Sequence, residues 1–171
     1  MHDHAVMTVL TDDKPGIVEF IANIIERNNG NWTESQLQHL HGKFAGILSI
    51  TLESNLRAQL ESDLQALTAK GIHYQLSWSS PTLPSTGKTA KLSVLGPDRT
   101  GIIKEIAQAL AQRSINLLNL ESRCTSAPWT GEALFEANAE ISVPKSTDME
   151  ELVNKLSVIT DELGLELTLE D

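Results

Sequence analysis

The chain has 171 residues, 40% of them hydrophobic, and a formal net charge of −10. Because nucleic-acid binding depends on Lys and Arg side chains that neutralise phosphates, net charges of −4 over residues 1–80 and −6 over residues 81–171 argue against direct contact with DNA or RNA. No apolar stretch is long enough to span a bilayer, the N-terminus lacks a secretory pattern, and the one cysteine, Cys124, excludes an internal disulfide, so a cytoplasmic protein is expected.

A sequence repeat divides the chain into two similar halves. Ala5–Leu10 and the Asp-Lys-Pro-Gly-Ile segment at 13–17 return as Ala90–Leu95 and the Asp-Arg-Thr-Gly-Ile segment at 98–102, at an offset of 85 residues. Nine of the 28 positions from 5 to 32 are identical at this offset. A period this long indicates a duplicated domain and not a solenoid. We therefore expect one domain over residues 1–80, a linker over 81–89 and a second domain over 90–171.

Each copy predicts six elements in the same order. Two-residue alternation of apolar side chains indicates the strands, and apolar residues at i, i+3, i+4 and i+7 indicate amphipathic helices. In copy one, strands begin at Ala5, Asn31, Phe44 and Ile72, and helices begin at Ile17 and Leu56. In copy two, strands begin at Ala90, Asn116, Phe135 and Leu165, and helices begin at Ile103 and Met149. Ser54 and Ser146 are the expected caps of the second helices.

The order βαββαβ predicts an α+β protein of two tandem ferredoxin-like domains. In each, four strands form one mostly antiparallel sheet with both helices on one face. The bare sheet edges and uncovered sheet faces favour a homodimer. The copies differ most between the second and third strands, where residues 123–131 are expected to form a longer loop than residues 38–43.

No pattern in the chain predicts a catalytic site. Gly-x-Ser-x-Gly, Walker, His-Glu-x-x-His and paired-cysteine motifs are missing. His2 with His4, and His39 with His41, have the spacing of zinc ligands on a strand, but neither pair recurs in copy two, so ordinary exposed histidines are favoured. Cys124 stands alone in the expected long loop. We predict no catalytic residue, no metal and no cofactor.

The loop after each first strand is the best candidate for a ligand site. Loop 1 (residues 11–17) and loop 2 (residues 96–102) share an Asp, a basic residue, a variable residue, Gly and Ile. The glycine opens a helix, whose unpaired N–H groups and dipole favour an anion such as a carboxylate. Asp13 and Asp98 can accept hydrogen bonds from an ammonium group, and Asn31 and Asn116 offer both a donor and an acceptor. A free α-amino acid is the expected ligand; the alternative is a plain turn in which Asp caps the helix and Gly relieves strain.

The βαββαβ unit, the Asp-x-x-Gly-Ile loop and the Asn that opens the second strand resemble the ACT domain, a small-ligand regulatory module. The resemblance covers nearly the whole chain, twice, and both loops look like those of stand-alone tandem ACT proteins. It implies a non-enzymatic regulator that senses a small amino acid such as glycine and does not bind DNA itself. It further implies repression through contact with a DNA-binding transcriptional activator of glycine cleavage genes.

The resemblance also implies roles for single residues. Family ligands sit near the first loop and the start of the second strand, usually at an interface between two ACT units. The ligand-binding candidates are therefore Asp13, Gly16, Ile17 and Asn31 in copy one, and Asp98, Arg99, Thr100, Gly101, Ile102 and Asn116 in copy two. Pro15 stands where copy two has Thr100, so loop 1 lacks one N–H and one hydroxyl and is the weaker anion receptor. Two alternatives stay open: a ligand-independent interaction module, and a small ferredoxin-like hydrolase that uses Lys14 or Arg99.

Overall fold

The computed structural model of the chain describes residues 1–79, 87–128 and 130–170. The chain divides into two compact units, residues 1–83 (unit 1) and residues 84–171 (unit 2). Residues 81–86 of the expected linker lie outside the described residues, and Lys88 already begins a strand. None of the described helices is long and apolar enough to cross a membrane.

Both units have the order βαββαβ, which confirms the predicted α+β fold of tandem ferredoxin-like domains. Unit 1 contains β1 (His2–Asp12), α1 (Ile17–Arg27), β2 (Asn31–Leu40), β3 (Lys43–Glu53), α2 (Arg57–Ala69) and β4 (His73–Ser79). Unit 2 contains β5 (Lys88–Pro97), α3 (Ile102–Ala111), β6 (Asn116–Ser126), β7 (Ala133–Val143), α4 (Met149–Leu163) and β8 (Glu166–Glu170).

Each unit has one four-stranded sheet in which all neighbouring strands are antiparallel. The strand order is β2-β3-β1-β4 in unit 1 and β6-β7-β5-β8 in unit 2. The first strand of each unit is therefore central, while the second strand, β2 or β6, lies at an edge. Loops 1 and 2 leave the sheets from the ends of the central strands, directly before α1 and α3.

One face of each sheet is apolar because buried and exposed side chains alternate along the strands. In β1, Ala5, Met7 and Val9 are buried, and the residues between them are more exposed. The buried stripe Ile17, Ile21, Ile24 and Ile25 of α1 belongs to the same cluster, and α3 contributes in the same way to the cluster of unit 2. Each unit thus has its own hydrophobic core.

The loop expected over residues 123–131 begins four residues later than predicted, although it is longer than the equivalent turn of unit 1, as expected: residues 127–132 connect β6 and β7, and residues 41–42 connect β2 and β3. Residues 123–126 belong to β6, so Cys124 lies on an edge strand, and β7 begins at Ala133. The strand escapes detection in the sequence because its side chains are exposed on both faces and show no apolar alternation.

The two expected serine caps are also wrong. Asp148 caps α4, and its carboxylate accepts hydrogen bonds from two backbone N–H groups of the first turn, at 2.9 and 3.2 Å. Ser54 instead donates its hydroxyl to the Met1 carbonyl, 2.9 Å away, and α2 has no side-chain cap. Asp and Ser are similarly good caps, so the sequence between Pro144 and Met149 offered two candidates of equal merit.

Candidate ligand-binding loops

A left-handed glycine opens the first helix of each unit. Gly16 (φ 88°) precedes α1, and Gly101 (φ 102°) precedes α3. Residues with a Cβ rarely adopt such φ values, so both turns require glycine. No side chain caps either helix, whereas Asp148 caps α4. The first-turn N–H groups of α1 and α3 therefore have no side-chain acceptor, which is the arrangement that an anion needs.

The loop aspartates contact the edge strands and do not cap the helices. The Asp13 carboxylate lies 3.7 Å from Nε2 of His39 on β2, and the Asp98 carboxylate lies close enough to the thiol of Cys124 on β6 to raise its pKa. His39 and Cys124 are equivalent positions, because each lies directly opposite the phenylalanine of the third strand. The turn capped by its own aspartate is therefore not the conformation of either loop.

Cys124 is a poor candidate for a nucleophile. Partial desolvation, together with the negative charge and hydrogen bond of Asp98, raises the pKa of the Cys124 thiol. A raised pKa lowers the fraction of thiolate, which is the reactive form. The contact serves to hold loop 2 against β6.

Loops 1 and 2 are tied to the end of the second helix in different ways. In unit 1, the Thr11 hydroxyl donates to the Gly71 carbonyl at 3.2 Å. In unit 2, Gly96 takes the place of Thr11, and a Cβ there would lie 2.6 Å from Cδ2 of Leu165. Arg99 supplies the tie in unit 2 by donating from Nη2 to the carbonyl of Leu163, the last residue of α4. A cation at this position also interacts favourably with the negative end of the helix dipole.

Loop 1 begins beside an ion pair that loop 2 lacks. Lys43 Nζ contacts the Asp12 carboxylate, and its hydrogen bond and charge lower the pKa of Asp12. The equivalent cross-strand pair in unit 2 is Pro97 with Leu134. Loop 2 therefore has fewer charged neighbours than loop 1 to compete for a zwitterionic ligand.

The two loop isoleucines are core residues. The side chains of Ile17 and Ile102 are 8% and 2% exposed and belong to the hydrophobic clusters of their units. They can reach a ligand only through their backbone N–H groups. Thr100, in contrast, is exposed and lies one residue before the left-handed Gly101.

The predicted asparagines do not lie beside the loops of their own unit. Asn31 pairs with Thr51, whose partner on β1 is His4, whereas loop 1 follows Asp12 at the other end of β1. Eight residues of extended strand separate these two ends, or about 26 Å. Asn116 has the same relation to loop 2, because it pairs with Ser142 opposite Thr89, at the start of β5. A site that uses both a loop and an asparagine needs two units.

An apolar cleft in unit 2 was not predicted from the sequence. It lies between α3 and β6, has an empty volume of about 360 Å³ that is partly open to solvent, and is lined among others by Ile103, Leu117, Leu120 and Ala139. Its apolar residues follow the expected alternation, so the sequence does not distinguish them from a filled core. The size of the side chains that face each other determines whether the space is filled, and that depends on strand register.

Comparison with known proteins gives the family of both units. Models of the ACT domain match residues 3–74 and residues 90–150. No curated protein matches the chain.

Two solved structures resemble the whole chain. An unknown protein from Galdieria sulphuraria is 26% identical, with a TM-score of 0.84 over 99% of this chain and 98% of that one. A candidate glycine cleavage system transcriptional repressor is 19% identical, with a TM-score of 0.71 over 99% of this chain and 97% of that one; at this identity the likeness concerns the fold alone. From the two family matches and the fold, the chain belongs to the ACT domain family, with one ACT domain in each half.

Proposed function

We propose that this protein is a non-enzymatic regulator that senses a small amino acid such as glycine and acts through contact with another protein. ACT domains are regulatory modules, and the chain consists of two of them. The observation that carries the proposal is the pair of uncapped helix starts behind left-handed glycines, which suit a carboxylate. In this proposal the protein is cytoplasmic and does not itself bind nucleic acid or membranes.

Loop 2 is the better of the two sites. Thr100 offers a hydroxyl and an N–H where Pro15 offers neither. The ligand carboxylate would lie at the start of α3, with its ammonium group near Asp98. Asp98 is held at this place by its contact with Cys124, while Asp13 lies beside His39 and the Asp12–Lys43 pair. The Arg99 guanidinium already donates to the end of α4, which favours a positioning role over direct ligand contact and leaves the hydrolase alternative with Lys14 alone.

The proposed partner is a DNA-binding transcriptional activator of glycine cleavage genes, which the protein would repress by contact. The support is the resemblance in fold and in domain number to the candidate glycine cleavage repressor. The mechanism is linkage: an amino acid that bridges two ACT units favours one arrangement of them, and a partner that binds only this arrangement responds to the ligand. Such coupling is typically about 1–3 kcal/mol.

Calorimetric titration with glycine and other small amino acids tests the proposal. We expect binding heat from the native protein, loss of that heat in Asp98→Ala, and a smaller change in the matched variant Asp13→Ala. Absence of binding heat and of any thermal shift with every amino acid would overturn sensing and favour the ligand-independent interaction module. Equal loss in both variants would overturn the preference for loop 2.

A further inference from the structure

The side of the unit 2 sheet that faces away from the helices has a shallow hollow at its centre. Ser93 lies there on the central strand β5, between the core residues Leu92 and Val94. Its hydroxyl donates to Oδ1 of Asn138 on β7 at 2.8 Å, and Thr168 of β8 is its partner on the other flank. These three side chains are short and exposed, so open depressions lie on both sides of Ser93.

Four glutamates surround this hollow at the corners of a rectangle. Two of them lie four residues apart on one strand, and the other two lie at the same levels on a strand two places away. The sides measure about 14 Å along the strands and about 10 Å across β5. This glutamate frame consists of Glu136 and Glu140 on β7 and Glu166 and Glu170 on β8. Carboxylates at such distances cannot share one Ca²⁺ ion, whose oxygen ligands lie within about 2.6 Å.

Basic neighbours leave the glutamate frame acidic. Arg123 on β6 contacts Glu136 at 2.7 Å, and Lys91 lies on β5 between Glu140 and Glu170. Within the described part of the chain, Lys91 forms no ion pair, and the other three glutamates of the frame have none either. Three exposed carboxylates therefore face solvent without a cation in contact.

The glutamate frame is specific to unit 2. Cross-strand partners of Leu10 and Val6 give the equivalent positions in unit 1, and none of them is acidic. They are Ala45, Ser49, His73 and Ser77. The fold therefore does not require carboxylates at these positions. Four differences that all add negative charge to one side of one sheet indicate a surface that attracts a cationic partner.

We propose that the glutamate frame docks an α-helix of a partner protein that carries Lys or Arg on both flanks. A helix with its side chains is about 10–12 Å across, so it fits along β5 between the glutamates of β7 and those of β8. Residues i, i+1, i+7 and i+8 then place two cations on each flank, about 10 Å apart along the axis, and their long side chains reach the corners. An extended segment would direct its side chains to the sheet along one line and would reach one row of glutamates only.

A second copy of this chain is not the occupant, because each described α-helix contains a single basic residue and the net charge is −10. The proposal rests on the proposed function only in that the protein acts through contact with another protein, and it needs no amino acid. DNA-binding proteins carry basic helices, since such a helix enters the major groove between the phosphates. The glutamate frame therefore agrees with the proposed class of partner.

Fluorescence anisotropy with a labelled alanine-based peptide, without any amino acid, tests the proposal. The probe has arginines at i, i+1, i+7 and i+8, and the control peptide has the same number at i, i+5, i+10 and i+15, which spreads them around the helix. The native protein is expected to bind the probe saturably and about fivefold more tightly than the control peptide. Glu140→Gln and Glu166→Gln should each raise the Kd of the probe about threefold, and the double variant about tenfold, because each substitution removes one exposed charge pair. The matched variant Glu162→Gln removes an equal charge from α4, on the other side of the sheet, and should leave Kd unchanged.

Absence of saturable binding, equal affinity for the two peptides, or a native Kd in the double variant E140Q/E166Q would each overturn the proposal. An effect of Glu162→Gln as large as that of Glu140→Gln would overturn it as well, because net charge alone would then explain the binding. Spermine carries as many charges on a flexible chain, so its displacement of the probe at the same concentration as unlabelled probe would exclude a helix as the occupant. No amino acid is present, so a failure here leaves the calorimetric test untouched, and a failure there leaves this docking surface standing.

Discussion

Beside the first helix, the third strand and the edge strand carry larger side chains in unit 1 than in unit 2, where an apolar cleft lies. Leu48 on β3 is 1% exposed and packs in one cluster with the half-buried Trp32 of β2; the equivalent residues of unit 2 are Ala139 and Leu117. Two reductions in side-chain size thus accompany the partly open cleft of unit 2. The same duplicated fold thus carries large buried side chains at these positions in one copy and an apolar opening beside its edge strand in the other.

A second pair of positions shows how the copies changed together. Leu37 on β2 pairs with Gly46 on β3, and a Cβ on Gly46 would lie 2.6 Å from Cδ2 of Leu37. The equivalent pair in unit 2 is Ser122 with Ala137. Ser122 is smaller than Leu37, and Ala137 is larger than Gly46. The exchange leaves a small, polar and exposed residue, Ser122, in the middle of β6. The edge of unit 1 is therefore tightly packed at this position, whereas the edge of unit 2 is not.

Leu48→Ala should have the largest effect on stability, because it truncates a buried side chain. The substitution also gives unit 1 the residue that unit 2 has at the equivalent position, Ala139. Truncating a fully buried leucine typically destabilises a protein by about 3 kcal/mol. Urea unfolding followed by tryptophan fluorescence will measure it, since Trp32 and Trp78 both pack against the core of unit 1.

The reverse substitution, Ala139→Leu, is the matched control. The added side chain enters the cleft between α3 and β6, so the free energy of unfolding of unit 2 should change by less than about 1 kcal/mol. In a filled core, by contrast, extra methylene groups destabilise the protein. Amide hydrogen exchange of β7 will report it. A loss as large as that of Leu48→Ala would contradict the difference between the two units.

Gly46→Ala should have the next largest effect. Its Cβ would lie 2.2 Å from the Gln36 carbonyl oxygen and 2.6 Å from the Leu37 side chain, so β2 and β3 must move apart. We expect a destabilisation of about 2 kcal/mol, measured by the same urea unfolding. The matched variant Ala137→Gly removes only a methyl group and should destabilise unit 2 by about 1 kcal/mol or less. Equal effects would show that the two edges are packed alike.

The sequence predicts the order of elements and the family, but not how the two edges differ. Alternation over Ala90–Leu95 and the apolar stripe from Ile17 to Ile25 were sufficient for the fold because each pattern depends only on local periodicity. The cleft, the contact of Asp98 with Cys124 and the tie from Arg99 to Leu163 depend on residues far apart in sequence, which local patterns do not connect.

The position of Asn31 could have been predicted from the topology. α1 has 11 residues and returns the chain along the sheet by about 16 Å before β2 begins, so the start of β2 lies away from loop 1. An asparagine follows the repeated loop at the same distance along the sequence in both copies, and this repetition indicated one site. Residues that repeat together in the sequence need not lie close together in space. The loop and the asparagine can belong to one site only if two units contribute to it.

Asp3→Asn should have the smallest effect, and it depends on pH. A hydrogen bond from Arg57 lowers the pKa of Asp3 below its ordinary value of 3.8, and the Arg57 guanidinium also lies 4.4 Å from the centre of the Trp78 ring. Because the pKa is lowered on folding, the ionised Asp3 stabilises unit 1 above the ordinary pKa, and this contribution is lost as the pH falls through the lowered value. The equivalent of Asp3 in unit 2 is Lys88, which has no carboxylate to titrate.

Thermal unfolding should therefore give Asp3→Asn a midpoint below that of the native protein by on the order of 1 °C at pH 7, and the two midpoints should converge in strong acid. A difference that persists at pH 2, or a matched variant Lys88→Gln with the same pH dependence, would show that the effect does not come from ionisation of Asp3.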